Sequence, residues 1–280
     1  MADLTALASE VRRYDRDRFL CSLFAPADRR DDLLALYAFN AALARVRETV
    51  TEPLLGEIRL QWWRDSIAAI YDGKSQHDPT LNALSGAVGR RGLSRPRLEK
   101  LIDGRSRDLD DRSFETLDAL IDYTEATSSS LIAVALEVLG AGETEAVREA
   151  GRHVGIAWAL IGLLRAIPYH SASGRRYLPD DVALMVGMDL SHQPLRQGSE
   201  PLGRAIARVA QVAVEHLTAA RRYRGVLPRS AVAALLPATL ADSDLKTLAR
   251  CDYDPFDARV QSGGGGRLLR LWMNALRGRF

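Results

Sequence analysis

The chain contains few cysteines, no long apolar run and little that resembles a β-strand. Its 280 residues include only Cys21 and Cys251, which stand far apart and have no CxxC partner or histidine at metal-ligand spacing. We therefore expect two core thiols in a reducing compartment. No stretch approaches the roughly 20 apolar residues of a membrane span, and the first residues lack the basic and apolar regions of a signal peptide.

An excess of one charge is also absent. The 38 basic and 36 acidic residues give a net charge of +2, which provides no general reason to expect a nucleic-acid partner. The sequence contains no G-x-S-x-G, no Walker loop, no G-x-G-x-x-G after a strand and no H-E-x-x-H. Four histidines are too far apart in the sequence to form a ligand cluster by spacing, and they are His77, His153, His192 and His216.

Alanine, leucine, arginine and acidic residues recur at spacings of three and four, which is an all-α pattern. One helix is predicted from about residue 26 to 49–53, and a second over 57–71. The side chains predicted to form the buried stripe of the second helix are Ile58, Trp62, Ile67 and Ile70. Further helices are predicted over 79–88, 96–110, 114–139, 143–167, 202–224, 229–236 and 267–276. No composition shift marks a boundary, so we expect one domain over 1–280, with a glycine-rich hinge at 262–266 before the last helix.

Several short motifs, taken in order, carry a family resemblance. They are Tyr37-Ala38-Phe39, Trp63-Arg64, Leu101-Ile102-Asp103-Gly104, Asp108-Leu109, Gly155-Ile156-Ala157, Leu164-Arg165 and Arg176-Tyr177-Leu178-Pro179. The ordered set resembles the squalene and phytoene synthases, all-α enzymes that join two prenyl diphosphates head to head. The resemblance covers most of the chain and implies a helical bundle of the isoprenoid synthase type with a central cavity.

The enzymes of this family hold magnesium with two acid-rich motifs, and both are degenerate here. Aligned on Tyr37-Ala38-Phe39, the acid positions of the first motif hold Ala44, Arg45 and Glu48. Those of the second motif, after Leu164-Arg165, hold Ala166, Tyr169 and His170. Ionisation of an allylic diphosphate requires divalent cations on hard oxygen ligands, and Arg45 brings a positive charge to this region. We therefore predict a disabled metal site, no catalytic residues and no cofactor.

Within the family, the chain resembles a divergent branch related to the mitochondrial complex I assembly factor 6. The segment Pro168-Tyr169-His170 marks this branch, because it stands where the enzymes carry acids. The branch implies a non-catalytic accessory role in assembly of the respiratory NADH dehydrogenase, with complex I subunits or assembly intermediates as partners. A mitochondrial member would carry a transit peptide, whereas this chain starts almost directly at its first helix. We therefore expect a bacterial, cytoplasmic protein at the periphery of the inner membrane.

Two alternatives stand beside this hypothesis. One is an active prenyltransferase that condenses farnesyl or geranylgeranyl diphosphate at an altered site, where Glu48, Asp103 and Asp108 hold Mg²⁺ together with arginines. The other is a carrier that binds a prenyl lipid without turnover. Magnesium-dependent release of pyrophosphate distinguishes the first alternative, and lipid in the purified protein would favour the second.

The candidate ligand-binding side chains surround the former metal site. They are Tyr37, Arg45, Asp103, Asp108, Arg165, Arg176 and Tyr177. Three arginines would bind a diphosphate or lipid headgroup, or else pair with the aspartates at 103, 108, 180 or 181; they are Arg165, Arg175 and Arg176. Asp103 and Asp108 would either line the rim of a cavity, or cap a helix and form ion pairs. Tyr169 and His170 would line a pocket, contact a partner or be exposed.

Two further segments allow two interpretations each. The small residues at 127–130 would either bring helices into close contact or leave room for a prenyl chain. The last predicted helix carries apolar residues between Arg267, Arg270 and Arg277. It would either close the core or contact an anionic membrane or a partner groove.

Overall fold

The computed structural model of the chain describes residues 4–190, 195, 197–262 and 266–280, and within these ranges every regular element is helical. In chain order the α-helices are α1 (Leu4–Tyr14), α2 (Arg16–Ser22), α3 (Ala27–Ala44), α4 (Pro53–Tyr71), α5 (Pro79–Arg91), α6 (Arg95–Gly104), α7 (Leu117–Thr124), α8 (Ser130–Val138), α9 (Glu145–Arg165), α10 (Ile167–Ala172), α11 (Asp180–Met185), α12 (Glu200–Arg221), α13 (Val232–Leu235), α14 (Pro237–Arg250), α15 (Ala258–Ser262) and α16 (Arg267–Leu276). The predicted all-α fold class is confirmed.

Side chains at the helix starts satisfy backbone amides that have no partner within the helix. The Asp78 carboxylate accepts hydrogen bonds from two amides in the first turn of α5, and the Thr144 hydroxyl accepts one in the first turn of α9. Gly92 ends α5 with a φ of 65°, a left-handed conformation that glycine adopts without strain. These local signals determine where α5 and α9 begin and where α5 ends.

Helix α9 lies at the centre of the core, where it packs against α8, α12 and α14. A π-helical turn, Glu125–Ser129, connects α7 to α8 and also packs against α9. At Gly155 the two backbones come so close that a Cβ atom would collide with the backbone of Ser129. The Ser129 hydroxyl donates to the carbonyl of Arg152 at 2.7 Å, which satisfies both groups at this contact.

The small residues at 127–130 are all buried, and they bring helices together. On the side of the π-helical turn that faces α6, a Cβ atom added at Gly104 would lie 2.9 Å from the Thr127 methyl group. The Thr127 hydroxyl turns back to the Tyr123 carbonyl at 2.8 Å. Of the two interpretations of this segment, close helix packing is therefore the one that the structure shows.

Helix α4 buries a different stripe from the predicted one. Its large buried side chains are Leu60, Trp63, Ile67 and Ile70. The prediction was right for Ile67 and Ile70 but wrong for Ile58 and Trp62, which are 59% and 42% exposed. Apolar residues occur on both sides of this helix, so periodicity alone selects the wrong face.

Two predicted helices also divide where the structure changes helix type. The helix predicted over 114–139 consists of α7, the π-helical turn and α8, and the one predicted over 96–110 ends at Gly104 and continues as a 3₁₀ turn, Arg105–Leu109. The predicted hinge at 262–266 includes residues 263–265, which lie outside the described residues. Both cysteines are buried and free, as predicted. Among the helices in the described ranges, none has the length and hydropathy needed to cross a membrane.

The contact between α9 and the π-helical turn predicts opposite effects for two glycine substitutions in α9. Gly155→Ala should destabilise the protein by about 1–3 kcal/mol, because the new methyl group has no space beside Ser129. Gly162→Ala should stabilise it by about 0.5–1 kcal/mol, since nothing lies within 4 Å of a Cβ atom at that position and alanine favours the helix. Urea unfolding of both variants measures the difference. Equal effects would contradict the described packing.

Candidate functional site

The two degenerate motifs meet where α3 and α9 end. Glu48 lies in the 3₁₀ turn Val46–Glu48 that follows α3, and Tyr169 lies in α10, which begins two residues after the end of α9. The Tyr169 hydroxyl donates a hydrogen bond to the Glu48 carboxylate at 2.8 Å. This hydrogen bond raises the pKa of Tyr169 above its usual value, and burial adds to the effect. The single acid that remains in the two motifs is therefore held by a side chain of the other motif.

Asp108 forms a buried polar cluster beside this junction, which we call the Asp108 cluster: Asn40, Arg105, Asp108, Tyr123 and Tyr177. One carboxylate oxygen of Asp108 accepts hydrogen bonds from the hydroxyls of Tyr123, at 2.6 Å, and Tyr177, at 2.9 Å. The other oxygen pairs with Arg105 at 3.1 Å. The Arg105 guanidinium also donates to Asn40 Oδ1 at 3.3 Å. Asp108 thus has three donors from three segments of the chain.

The pKa values of the two tyrosines indicate how this cluster is held. Burial raises the pKa of Tyr123 well above its usual value, and the negative charge of Asp108 raises it further. Burial followed by Asp108 raises the pKa of Tyr177 in the same way. Both hydroxyls therefore keep their protons at neutral pH and remain hydrogen-bond donors. The Asp108 carboxylate is therefore engaged by these two donors and by Arg105.

His170 connects the Glu48 junction to the Asp108 cluster. Its ring centroid lies 4.5 Å from that of Tyr177 and 5.4 Å from that of Tyr169. Burial, followed by the positive charge of Arg175, lowers the pKa of His170 to about 4, and the charge of Asp108 partly opposes this. The ring is therefore neutral at physiological pH. Its buried Nδ1 atom has no hydrogen-bond partner in the protein.

A cavity of about 20 Å³ lies beside His170, between α10 and the segment that precedes α11. Among the residues that line it are His170, Tyr177 and Leu190. About 10–15 Å³ of such volume is enough for one water molecule. The cavity therefore has room for one water molecule, and it is far too small for a prenyl chain.

The remaining positions of the two motifs lie outside this contact. Arg45 faces α1, where its guanidinium lies 3.8 Å from the ring centroid of Tyr14 and 3.9 Å from Glu10. Its charge is thus directed to α1 rather than to Glu48 and Tyr169. Ala44 is the last residue of α3, and Ala166 is the residue between α9 and α10, so neither contributes a polar side chain.

The candidate ligand-binding residues separate into different parts of the molecule. Asp103 lies on the outside of α6, where it pairs with Arg64 at 2.8 Å, and it takes no part in the Asp108 cluster. Tyr37 is fully buried in α3, and burial raises the pKa of its hydroxyl. Only Asp108 and Tyr177 of the candidate set come together. Within the described ranges, no three His, Cys, Asp or Glu side chains lie close enough together to hold a metal ion.

The arginines also have partners that the sequence did not indicate. Arg165 pairs with the buried Asp244 at 2.7 Å, 79 residues further along the chain. Arg176 donates to the carbonyl of Leu190 and lines a cavity of about 680 Å³ on the outer side of this region. The expected partners are engaged elsewhere: Asp180 accepts from the Ser113 hydroxyl at 2.6 Å, and Asp181 accepts from the Leu117 amide at 3.1 Å.

One polar contact was not predicted from the sequence. His153 of α9 and His216 of α12 face each other, with 2.8 Å between their Nδ1 atoms. Burial lowers the pKa of His153, and burial together with the neighbouring His153 lowers that of His216 to about 4. At this distance one nitrogen donates and the other accepts, so the pair is a helix-to-helix hydrogen bond. The two residues are 63 positions apart, and no local pattern connects them.

The Asp108 cluster predicts a large difference between two aspartate variants. Asp108→Asn should destabilise the protein by about 3 kcal/mol or more, because it leaves the buried Arg105 guanidinium without a counter-charge. Asp103→Asn should cost about 1 kcal/mol or less, since its pair with Arg64 is exposed to solvent. Chemical unfolding of the two variants tests the assignment. A small effect at 108 would show that the buried charge pair is not a structural element.

His170 predicts a pH dependence of stability in acid. Its pKa is about 4 in the folded protein and about 6.5 when unfolded, so the unfolded chain binds the extra proton between these values. Its contribution is complete above pH 6.5 and is lost as the pH falls towards 4, by about 3 kcal/mol in total. His170→Phe should remove this part of the pH dependence, while the part from His216 remains in both proteins. Urea unfolding of both proteins at several pH values measures the difference, and parallel pH profiles would contradict the buried, neutral His170.

Comparison with known proteins gives consistent results. A family model described as squalene/phytoene synthase matches residues 11–265. The chain is similar to the human protein named NADH dehydrogenase (ubiquinone) complex I, assembly factor 6, with 34% identity over 267 residues that cover 95% of this chain and 80% of the relative. The cattle protein of the same name is 32% identical over 270 residues, which cover 96% of this chain and 81% of the relative.

The fold is similar to that of a dehydrosqualene synthase solved in complex with a ligand. The two chains superimpose with a TM-score of 0.85 over 98% of this chain and 95% of the other, at 18% sequence identity. At that identity the likeness is informative about the fold alone. Because the family model matches most of the sequence and relatives above 30% identity cover it almost completely, the chain belongs to the squalene/phytoene synthase family.

Proposed function

We propose that this protein is an accessory factor for the assembly of respiratory complex I, and that it does not condense prenyl diphosphates. The observation that carries the proposal is its similarity, along 95% of the chain, to a protein named as a complex I assembly factor. The partners would be complex I subunits or assembly intermediates. A cytoplasmic location at the inner membrane surface fits this role and belongs to the same proposal.

The side chains at the former metal site support the non-catalytic part of the proposal. Loss of pyrophosphate from an allylic diphosphate develops a large negative charge, which the family's enzymes neutralise with magnesium on carboxylates. In this chain Glu48 accepts from Tyr169, and Asp108 is occupied by two tyrosines and an arginine. Both carboxylates serve as hydrogen-bond acceptors within the protein, so a magnesium ion would have to displace the exposed Tyr169 hydroxyl from Glu48 and the buried donors from Asp108.

The active-enzyme alternative requires Glu48, Asp103 and Asp108 to act on one ion. Asp103 instead pairs with Arg64 on the outside of α6. His170 and Tyr177 lie in ring contact between Glu48's partner Tyr169 and Asp108. A shared site would need α6 and α10 to rearrange. The geometry therefore favours the accessory role over the altered transferase.

The carrier alternative concerns a prenyl lipid that is bound without turnover. A prenyl chain in the interior would have to displace packed side chains, because Tyr37 and the small residues at 127–130 are buried against their neighbours. A lipid bound in this way should stabilise the folded protein measurably. Mass spectrometry of lipids extracted from the purified protein identifies such a ligand.

Deletion and complementation test the assembly role. Deletion of the gene in its own host should lower the amount of assembled complex I and its NADH-oxidising activity, as seen on native gels and in isolated membranes. Unchanged complex I in the deletion strain would contradict the proposal.

A substitution at Glu48 separates the accessory role from catalysis in the same strain. Glu48→Gln removes the last acid of the two motifs but keeps an acceptor for the Tyr169 hydroxyl. We expect this variant to restore complex I as well as the wild-type chain does, with the empty vector as the negative control. An enzyme that uses Glu48 to hold magnesium would lose its function in this variant, typically by orders of magnitude.

A further inference from the structure

Helix α16 is attached to the body of the protein mainly through polar side chains. Arg267 forms a bidentate pair with Asp17 of α2, at 2.8 and 2.7 Å, and also contacts Asp244 of α14 at 3.1 Å. The Asn274 amide donates to the Thr239 hydroxyl at 3.0 Å. These contacts come from the two ends of the helix, so they fix its rotation about its own axis as well as its position.

Only one large apolar residue of α16 points into the body. Leu271 is buried in a small cluster with Cys21, Leu236 and Leu240. It lies on the same side of the helix as Arg267 and Asn274, which are four residues before and three residues after it. The inward side of α16 therefore consists of this leucine, the small and partly buried Ala275 and the polar attachment residues.

The outward side of α16 is apolar. Its large side chains are between 37% and 62% exposed, and they are Leu268, Leu269, Trp272, Met273 and Leu276. At about 100° per residue they cover an arc of about 140° on the helix surface. A surface helix ordinarily turns its apolar side to the core and its polar side to water. In α16 the arrangement is reversed, and the attachment contacts hold the apolar side in the solvent.

Positive charge borders this apolar face. Arg270, Arg277 and Arg279 are exposed, and residues 266–280 contain no Asp or Glu side chain. Within the described part of the chain, none of these three arginines forms an ion pair with a protein carboxylate. A partner for this surface must therefore accept a broad apolar face and several positive charges at its border.

We propose that α16 is a membrane-docking helix that lies flat on an anionic lipid bilayer. Its apolar face would enter the boundary between headgroups and acyl chains, where Trp272 is also well accommodated. The bordering arginines would bind the phosphates of anionic headgroups. Because the helix is already folded and oriented on the body, docking requires no ordering of this segment. The inference does not depend on the role in complex I assembly, since it concerns lipid alone.

Vesicle binding of the purified full-length protein tests this inference. We expect it to float with vesicles that contain phosphatidylglycerol, much less with phosphatidylcholine vesicles, and less in high salt. Replacing both Trp272 and Leu276 by Glu should weaken binding at least about 100-fold, because it removes apolar contact and adds repulsion. Replacing both Arg270 and Arg277 by Gln should weaken binding to anionic vesicles about 30-fold, at about 1 kcal/mol per arginine.

A matched control comes from α4, which also exposes apolar residues. Leu54 and Ile58 are 69% and 59% exposed, so Leu54→Glu with Ile58→Glu also replaces two exposed apolar side chains by carboxylates, elsewhere on the surface. This variant should bind vesicles like the wild type. Thermal unfolding of all variants establishes that they are folded.

Three results would overturn the proposal. They are absence of vesicle binding by the folded wild-type chain, equal binding to neutral and anionic vesicles, and equal loss of binding in the α4 and α16 variants. A wild-type dimer that the α16 variant converts to a monomer, without any vesicle binding, would assign the face to a second copy of the chain. Analytical ultracentrifugation detects that outcome.

Discussion

The buried carboxylate of Asp108 holds together the region beside the contact between the two degenerate motifs. It accepts hydrogen bonds from the hydroxyl groups of Tyr123 in α7 and Tyr177 in the segment before α11. Its charge is balanced by Arg105, which also donates a hydrogen bond to Asn40 of α3. A charge pair at this depth is favourable only when its hydrogen bonds are complete, and removal of one member exposes the full cost of burying the other. Ring contacts connect Tyr177 of this cluster to His170 and His170 to Tyr169, whose hydroxyl donates to Glu48.

The fold does not need the acids that its enzymes use. Its stability arises from the packing of α9 against α8, α12 and α14 and from the close contact at Gly155. These packing contacts do not involve magnesium binding. The alanine, tyrosine and histidine at the motif positions are compatible with that packing, and Tyr169 forms a hydrogen bond to Glu48 of the other motif. Fold and activity reside in different residues, so the same scaffold can be kept while the residues of its site change.

Much of the fold could be predicted from the sequence, because three-and-four periodicity and an ordered set of family motifs act over long stretches of chain. The site could be predicted only where residue chemistry alone decides, as with alanine at 44 and 166. Contacts such as Arg165 with Asp244, or His153 with His216, join residues 79 and 63 positions apart and depend on tertiary structure. Helix α4 shows a further limit, since apolar residues on both of its sides gave the wrong buried stripe. In helix α16 the apolar face could be identified from the sequence, but the sequence did not show whether that face points to the core or to solvent.

The central claim is that side chains of the protein itself now occupy the former metal site. The most direct measurement is calorimetric titration of the purified protein with farnesyl diphosphate, with and without magnesium, with every sample assayed for released pyrophosphate. We predict no effect of magnesium on binding and no pyrophosphate above the protein-free control. Magnesium-dependent binding accompanied by pyrophosphate release and a condensed prenyl product would contradict it and restore the protein to the working synthases.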